Sequence, residues 1–200
     1  DKIKEFIKQN SNDQHKQETC KIVRFEAPVD DVNCLDWLEN QSSDEKLYWS
    51  DREHSLEISG TGTADTIFAE INAPIDFHEI LTRVKRLLHE SDEKIRYYGG
   101  VRFCDYKSQD LTWDKFGAYR FVVPRFEINR QEKQSVFACN ILIEEGKSTE
   151  NYFNDIINEF DSLKPVASPY VTNNISTVGR TDYPNRTEWK GTIETALEMI

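Results

Sequence analysis

Two runs rich in Val, Ile and Phe constrain this chain most: Tyr119 to Asn129 (YRFVVPRFEIN) and Ser135 to Glu144 (SVFACNILIE). β-Branched and aromatic residues at this density favour a pleated backbone. The polar stretch between them, Arg130 to Gln134, suits the turn of an antiparallel hairpin. Pro124 has no amide hydrogen to give a ladder. The first strand is therefore expected to be an edge or to carry a bulge there.

Other segments add strands and helices. Cys20 to Ala27 reads as a strand closed by Pro28. Leu47 to Arg52 and Ser55 to Gly60 read as two strands joined by a polar turn, Asp51 to His54. Ile95 to Phe103 is strand-like around Gly99-Gly100. Val32 to Leu38 predicts a short helix with Val32, Leu35, Trp37 and Leu38 apolar. Asp76 to Ser91 is the clearest helix, with Phe77, Ile80, Leu81, Val84, Leu87 and Leu88 on one face. Asp76 with Glu79 resembles a capping box. Thr149 to Leu163 is a second one-sided helix, carrying Tyr152, Phe153, Ile156, Ile157, Phe160 and Leu163. Each stripe needs a sheet to cover it, so the expected fold class is α+β, a mixed α/β sandwich.

The expected organisation has four parts. Residues 1–19 are a polar N-terminal segment, whose first ten residues place Ile3, Phe6 and Ile7 on one helical face. Residues 20–163 are the α+β region, with a polar loop at 104–116 holding Trp113 and Phe116. Residues 164–186 are Pro/Ser/Asn-rich and aperiodic, a linker or long loop. Residues 187–200 begin a further domain with an amphipathic stripe of Trp189, Ile193, Ala196, Leu197 and Ile200. That stripe stops with no Gly or Asn cap, and the chain starts at Asp1. It is expected to be part of a longer protein, cut in or just after a helix.

Charge and motifs narrow the function classes. With 25 Lys+Arg against 36 Asp+Glu, the net charge of −11 argues against general nucleic-acid or anionic-membrane binding. No apolar run approaches the ~20 residues of a membrane span. Cys20, Cys34, Cys104 and Cys139 form no C-x-x-C pair, which excludes a zinc knuckle and a thioredoxin-type motif. They are expected to be reduced, mostly buried thiols of a cytoplasmic protein. His15, His54, His78 and His89 lack metal-binding spacing.

Gly60-Thr-Gly62-Thr-Ala64 has Asp65 where a dinucleotide loop needs Gly, so a flexible strand-end turn is expected. Gly99-Gly100 is expected to mark a bulge or close backbone packing. Asp30-Asp31 and Glu144-Glu145 read as solvated turns rather than paired acids. The N-terminal stretch is too polar for a signal peptide, so the sequons at Asn40, Asn174 and Asn185 are expected to be chance matches. There is no G-x-S-x-G elbow. These residues leave two classes open: a binding or scaffold module, or a non-catalytic part of an enzyme.

Three stretches together carry a family resemblance. They are Tyr48-Trp49-Ser50-Asp51-Arg52 followed by Leu56 to Ala64, then Tyr98-Gly99-Gly100-Val101-Arg102-Phe103, then Trp113 to Glu127 (WDKFGAYRFVVPRFE). In order and spacing they resemble the N-terminal region of isochorismate synthases, chiefly the menaquinone-pathway type. The resemblance runs over roughly residues 20–200, and the Trp189 helix is similar to the first helix of the chorismate-binding domain.

The resemblance implies the N-terminal half of the chorismate-binding enzyme fold, the anthranilate synthase component I type. The parent would be a Mg²⁺-dependent isomerase. It would turn chorismate into isochorismate by adding water at C2 and expelling the C4 hydroxyl, with a Lys as base and a Glu as acid. The product would serve a menaquinone or siderophore/salicylate pathway. The family's catalytic Lys, its Glu and its Mg²⁺ ligands would all follow residue 200. No catalytic, cofactor or metal residue is therefore assigned within the chain, and Lys21 is not taken as the base. The expected partner is the C-terminal catalytic half of the same protein, and the chain alone is expected to be inactive with no cofactor. Arg102, Arg120 and Arg125 are expected to be structural ion-pair partners. Anthranilate or aminodeoxychorismate synthase is the alternative enzyme class.

Overall fold

The computed structural model describes residues 4–5, 20–102, 114–132, 134–144, 149–165 and 179–199, with only the backbone at 149–151. Phe103, Cys104, Trp113, Glu145, Asn174, His15 and most of the 1–19 and 164–186 segments lie outside the described residues. The chain forms two compact units, Asp1–Ser168 and Pro169–Ile200.

The first unit is built on a six-stranded antiparallel sheet. Its strands are β1 (Lys21–Val29), β2 (Lys46–Ser50), β3 (Leu56–Ala69), β4 (Tyr98–Val101), β5 (Tyr119–Gln131) and β6 (Gln134–Ile143). The order is β1-β6-β5-β3-β2, with β4 also paired to β5. The hairpin expected from the two apolar runs is β5–β6, closed at Gln131↔Gln134. Glu132 turns the chain there at φ 55°, a left-handed conformation suited to a tight hairpin. In the β2–β3 turn, the Asp51 carboxylate accepts from the Ser55 and Leu56 amides at 2.7 and 3.2 Å.

β5 is a central strand, and its neighbours change along its length. β3 pairs with it from Leu56↔Gln131 to Ala69↔Tyr119. On the other side β6 pairs from Gln131 to Phe126, and β4 then takes over from Val122 to Tyr119. Pro124 falls in the gap between β6 and β4, where β5 needs no amide donor on that side. It also stands opposite the irregularity between Thr63 and Asp65. The bulge expected at Pro124 is therefore present but belongs to β3, and β5 is not an edge.

The Gly60–Ala64 stretch is not a strand-end turn, because β3 runs through it for 14 residues. Gly62, at φ +64°, makes the local twist beside the bulge that an L side chain resists. The strand expected from Ile95 is shortened to β4.

Helices cover both faces. α1 (Cys34–Asn40) starts at Cys34 because the Asn33 side chain accepts from the Leu35 and Asp36 amides. Trp37 and Leu38 of α1 join Phe153 and Ile156 of α3 (Thr149–Ser162) against Phe126, Ile128, Phe137 and Ile141 of the sheet. On the opposite face Ile22, Ala64, Ile95 and Val123 pack together with Leu88 of α2 (Phe77–His89). Asp76 caps α2 by accepting from His78 and Glu79. Ile80 and Leu87 of its stripe are buried, but Phe77 and Leu81 are 58% and 54% exposed. In the second unit, α4 (Arg186–Glu198) begins with a reciprocal capping box between Asn185 and Glu188. Its Trp189, Ile193 and Leu197 are exposed.

Of the thiols expected to be mostly buried, Cys34 and Cys139 are buried and free, whereas Cys20 is exposed. Burial pushes the Cys139 thiol up to about 12. An unfolded thiol titrates near ~8.5. The native state therefore holds this proton more tightly, and the associated stability is intact below ~8.5 and lost as pH rises towards about 12. In a Cys104→Ser chain at pH 8, one thiol, Cys20, is expected to react quickly with a disulfide reagent. Cys34 and Cys139 should react only at the rate of unfolding. Fast labelling of three thiols would contradict this burial.

Candidate functional site

The densest polar cluster lies where the sheet divides. Arg24 and Glu26 are two residues apart on β1 and so share a face. Arg24 stands opposite Asn140, and Glu26 stands opposite Ala138, which in turn faces Glu127 of β5. Register alone thus gathers Arg24, Glu26, Glu127 and Asn140.

The contacts are short. Arg24 Nη2 reaches Glu127 Oε1 at 2.5 Å, and Nε reaches Glu26 Oε1 at 2.7 Å. Nη1 donates to Asn140 Oδ1 at 3.0 Å. The side chains of Arg24 and Glu127 are 2% and 4% exposed. The other Glu26 oxygen accepts from Lys94 Nζ at 2.6 Å. Burial works to lower the Arg24 pKa, but Glu127 and Glu26 outweigh it and hold the guanidinium above its ordinary value. Burial likewise raises Glu26, and the Lys94 and Arg24 bonds overcome it, leaving the carboxyl below its usual range. Tyr98 on β4 is pushed up by burial and then by the charge of Glu127.

Asn140 also repairs the backbone at the fork. Its Nδ2 donates to the Pro124 carbonyl at 2.8 Å, and its own carbonyl accepts from Arg125 Nη1 at 2.7 Å. Side chains here take the place of ladder bonds lost where β6 leaves β5. Arg125 continues to α3, donating to the Tyr152 hydroxyl at 3.0 Å and lying 3.6 Å from Glu159. A second chain of contacts ties the far end of β3 to β5: Tyr48 to Glu57, Glu57 to Arg130, and Arg130 to Asp31. The Tyr48 bond, then Arg130, holds Glu57 below its ordinary value against the pull of burial.

This arrangement crosslinks strands. Arg24 presents its nitrogens to Glu26, Glu127 and Asn140, so both charges are compensated internally. The sequence-predicted arginines fit the same description in part. Arg120 pairs with Glu45 at 3.1 Å, and Arg125 lies beside Glu159. Arg102 donates to the backbone carbonyls of Ile71 and Ala73. Lys21 is at the start of β1, opposite Ile143. Gly60, Gly62, Gly99 and Gly100 lie within strands of the sheet. His54 sits in a turn, and His78 and His89 lie at opposite ends of α2. Among the described residues no group of three His, Cys, Asp or Glu could hold a metal ion. No described helix is long and apolar enough to cross a membrane.

The Arg24–Glu127 pair itself is not anticipated by spacing. The local signal was weak: Arg24 shares a strand face with Ile22, and Glu127 interrupts the apolar run between Phe126 and Ile128, which point to the other face.

Comparison with known proteins places this fold. The family described as "Chorismate binding enzyme" matches residues 5–200. Isochorismate synthase, chloroplastic, of Catharanthus roseus is 25% identical over 222 residues, covering 90% of this chain and 38% of that protein. Isochorismate synthase 2, chloroplastic, of Arabidopsis thaliana is 25% identical over 142 residues, 60% of this chain and 25% of that protein. The solved structure of MenF, the menaquinone-specific isochorismate synthase from Escherichia coli, is similar with a TM-score of 0.60 and 19% identity. That likeness covers 98% of this chain and 41% of MenF. The chain thus spans well under half the length of each of these relatives.

Proposed function

The chain belongs to the chorismate-binding enzyme family, and from that premise we propose that it forms the N-terminal portion of an isochorismate synthase. The observation that carries this reading is the coverage: nearly all of this chain, but only 41% of MenF, takes part in the structural likeness. The curated relatives it matches are named isochorismate synthases, which favours that isomerase over the ammonia-using alternatives.

In this reading the parent adds water at C2 of chorismate and expels the C4 hydroxyl. The menaquinone pathway is the favoured context, because MenF is a structural neighbour. The reaction needs a base, an acid and Mg²⁺ to neutralise the substrate carboxylate. The described residues do not fit the metal, since they bring no three suitable ligands together. The base, acid and metal ligands are proposed to reside in the remainder of the parent. The exposed stripe of Trp189, Ile193 and Leu197 supports α4 as the start of that catalytic portion. A reducing compartment, the cytoplasm, suits the unpaired Cys34 and Cys139.

The test is an isomerase assay of these 200 residues with chorismate and Mg²⁺. No turnover is expected from this chain alone, and turnover is expected from the full-length protein. Conversion of chorismate by the isolated chain would overturn the proposal.

A further inference from the structure

Gln41 closes α1, and although its side chain is polar the residue is only 4% exposed. Its Nε2 donates to the Trp37 carbonyl at 2.8 Å, one of those that a helix end leaves without an amide of its own. The same Nε2 donates to the Lys164 carbonyl at 3.0 Å, and Oε1 accepts from the Lys164 amide at 3.1 Å. A side-chain amide thus pairs with a backbone residue through both donor and acceptor, as one strand residue pairs with another. It does so across 123 residues of sequence.

The partner stands just past α3, which ends at Ser162. Leu163 still donates to the Phe160 carbonyl at 3.2 Å and packs against the core, whereas Lys164 and Pro165 are exposed. Among the described residues, Gln41 is the hydrogen-bond partner of both backbone groups of Lys164. Leu163, Lys164 and Pro165 also line a cleft of about 560 Å³ in the first unit, together with Trp37, Phe137 and Phe160.

We propose that residues 163–165 are a hinged wall of this cleft and that Gln41 is the latch that keeps it shut. The hinge is the end of α3. Unlatching breaks the two bonds to Lys164 and leaves the strand ladders intact. The wall therefore opens as a local unit, at a smaller free-energy cost than global unfolding. Opened, it admits a neutral apolar molecule to the Trp37 and Phe160 surface.

The test is amide exchange read by NMR on the full chain. Gln41→Met keeps the length of the side chain and removes its bonding groups. Asn40→Ala is the control, because Asn40 Nδ2 donates to the Asp36 carbonyl at 2.8 Å, a bond that stays within α1. Gln41→Met is expected to speed exchange of the Lys164 amide at least about tenfold, with the Phe126 and Ile128 amides of the central strand unchanged. It should also raise, severalfold, the fluorescence of a neutral naphthylamine probe by opening apolar surface to it. Asn40→Ala should change neither readout. Unchanged Lys164 exchange in Gln41→Met would overturn the latch. Equal acceleration in Asn40→Ala would mean that α1 merely frays, which also overturns it. Lys164, Phe126 and Ile128 accelerating together would make Gln41 a support of the whole core and overturn a local latch. Faster Lys164 exchange with no gain in probe signal would overturn the gating of the cleft.

Discussion

Glu127→Ala should destabilise the first unit by about 3–5 kcal/mol, the range for removing one partner of a buried ion pair. Arg24 would remain in a site where its side chain is 2% exposed, with only the peripheral Glu26 to compensate it. The damage is not confined to one contact. Asn140 shares Arg24 and holds the Pro124 carbonyl, so the fork between β6 and β4 loosens with it. Urea unfolding followed by circular dichroism should show the midpoint fall. The double variant Arg24→Met/Glu127→Leu should recover at least half of the loss, because it removes the stranded charge and leaves Glu26 with Lys94. A Glu127→Ala chain of parental stability would refute the crosslinking role. So would a double variant less stable than the single one.

Gly99→Ala is the second large effect. A Cβ at this position would lie 1.9 Å from the Arg120 carbonyl oxygen and 2.8 Å from the Phe121 Cα, both backbone atoms of β5. Backbone cannot swing aside as a side-chain tip can. The residue also sits at φ +156°, a conformation L side chains rarely adopt. Overpacking and backbone strain each cost about 1–3 kcal/mol, so a combined loss of about 3–5 kcal/mol is expected, with β4 released from β5. Gly100→Ala is the control, since its nearest neighbour is a Phe116 ring carbon at 3.7 Å, ordinary contact. Amide exchange in β4 should rise sharply in the first variant and hardly at all in the second. Equal behaviour of the two would refute the clash.

Much of the sheet was legible from local pattern. Val, Ile and Phe density located β5 and β6, and the turn between them predicted their pairing. Helix periodicity located α2 and α3. What escaped was set at a distance. Leu81 and Phe77 lie on the predicted stripe of α2, yet only its Ile80 and Leu87 are buried. How much of an apolar face is covered depends on what the rest of the fold brings to it. Gly60 and Gly62 looked like the end of a strand because glycine usually punctuates. Here a Cβ on Gly60 would meet the Pro124 ring at 2.7 Å, so its absence lets β3 continue past β5. The ion-pair cluster was invisible for the same reason. Arg24 and Glu127 are 103 residues apart, and only the β1–β6–β5 register makes them neighbours. Cys20, one residue before β1, is exposed because the strand begins after it.

The pairing of β1 with β6 also sets the order of events on the ribosome. Lys21 is matched to Ile143 and Val29 to Ser135, so β1, made before the other strands of this sheet, finds its neighbour more than a hundred residues later. At translation rates of ~5–20 residues per second, β1 waits on the order of ten seconds with Ile22, Val23 and Phe25 unpaired. β5 and β6, by contrast, can close their hairpin as soon as both have left the exit tunnel. Vectorial synthesis therefore makes the earliest strand of this sheet the last of them to be placed. A nascent chain stalled before residue 134 would present that strand to chaperones rather than to its own sheet.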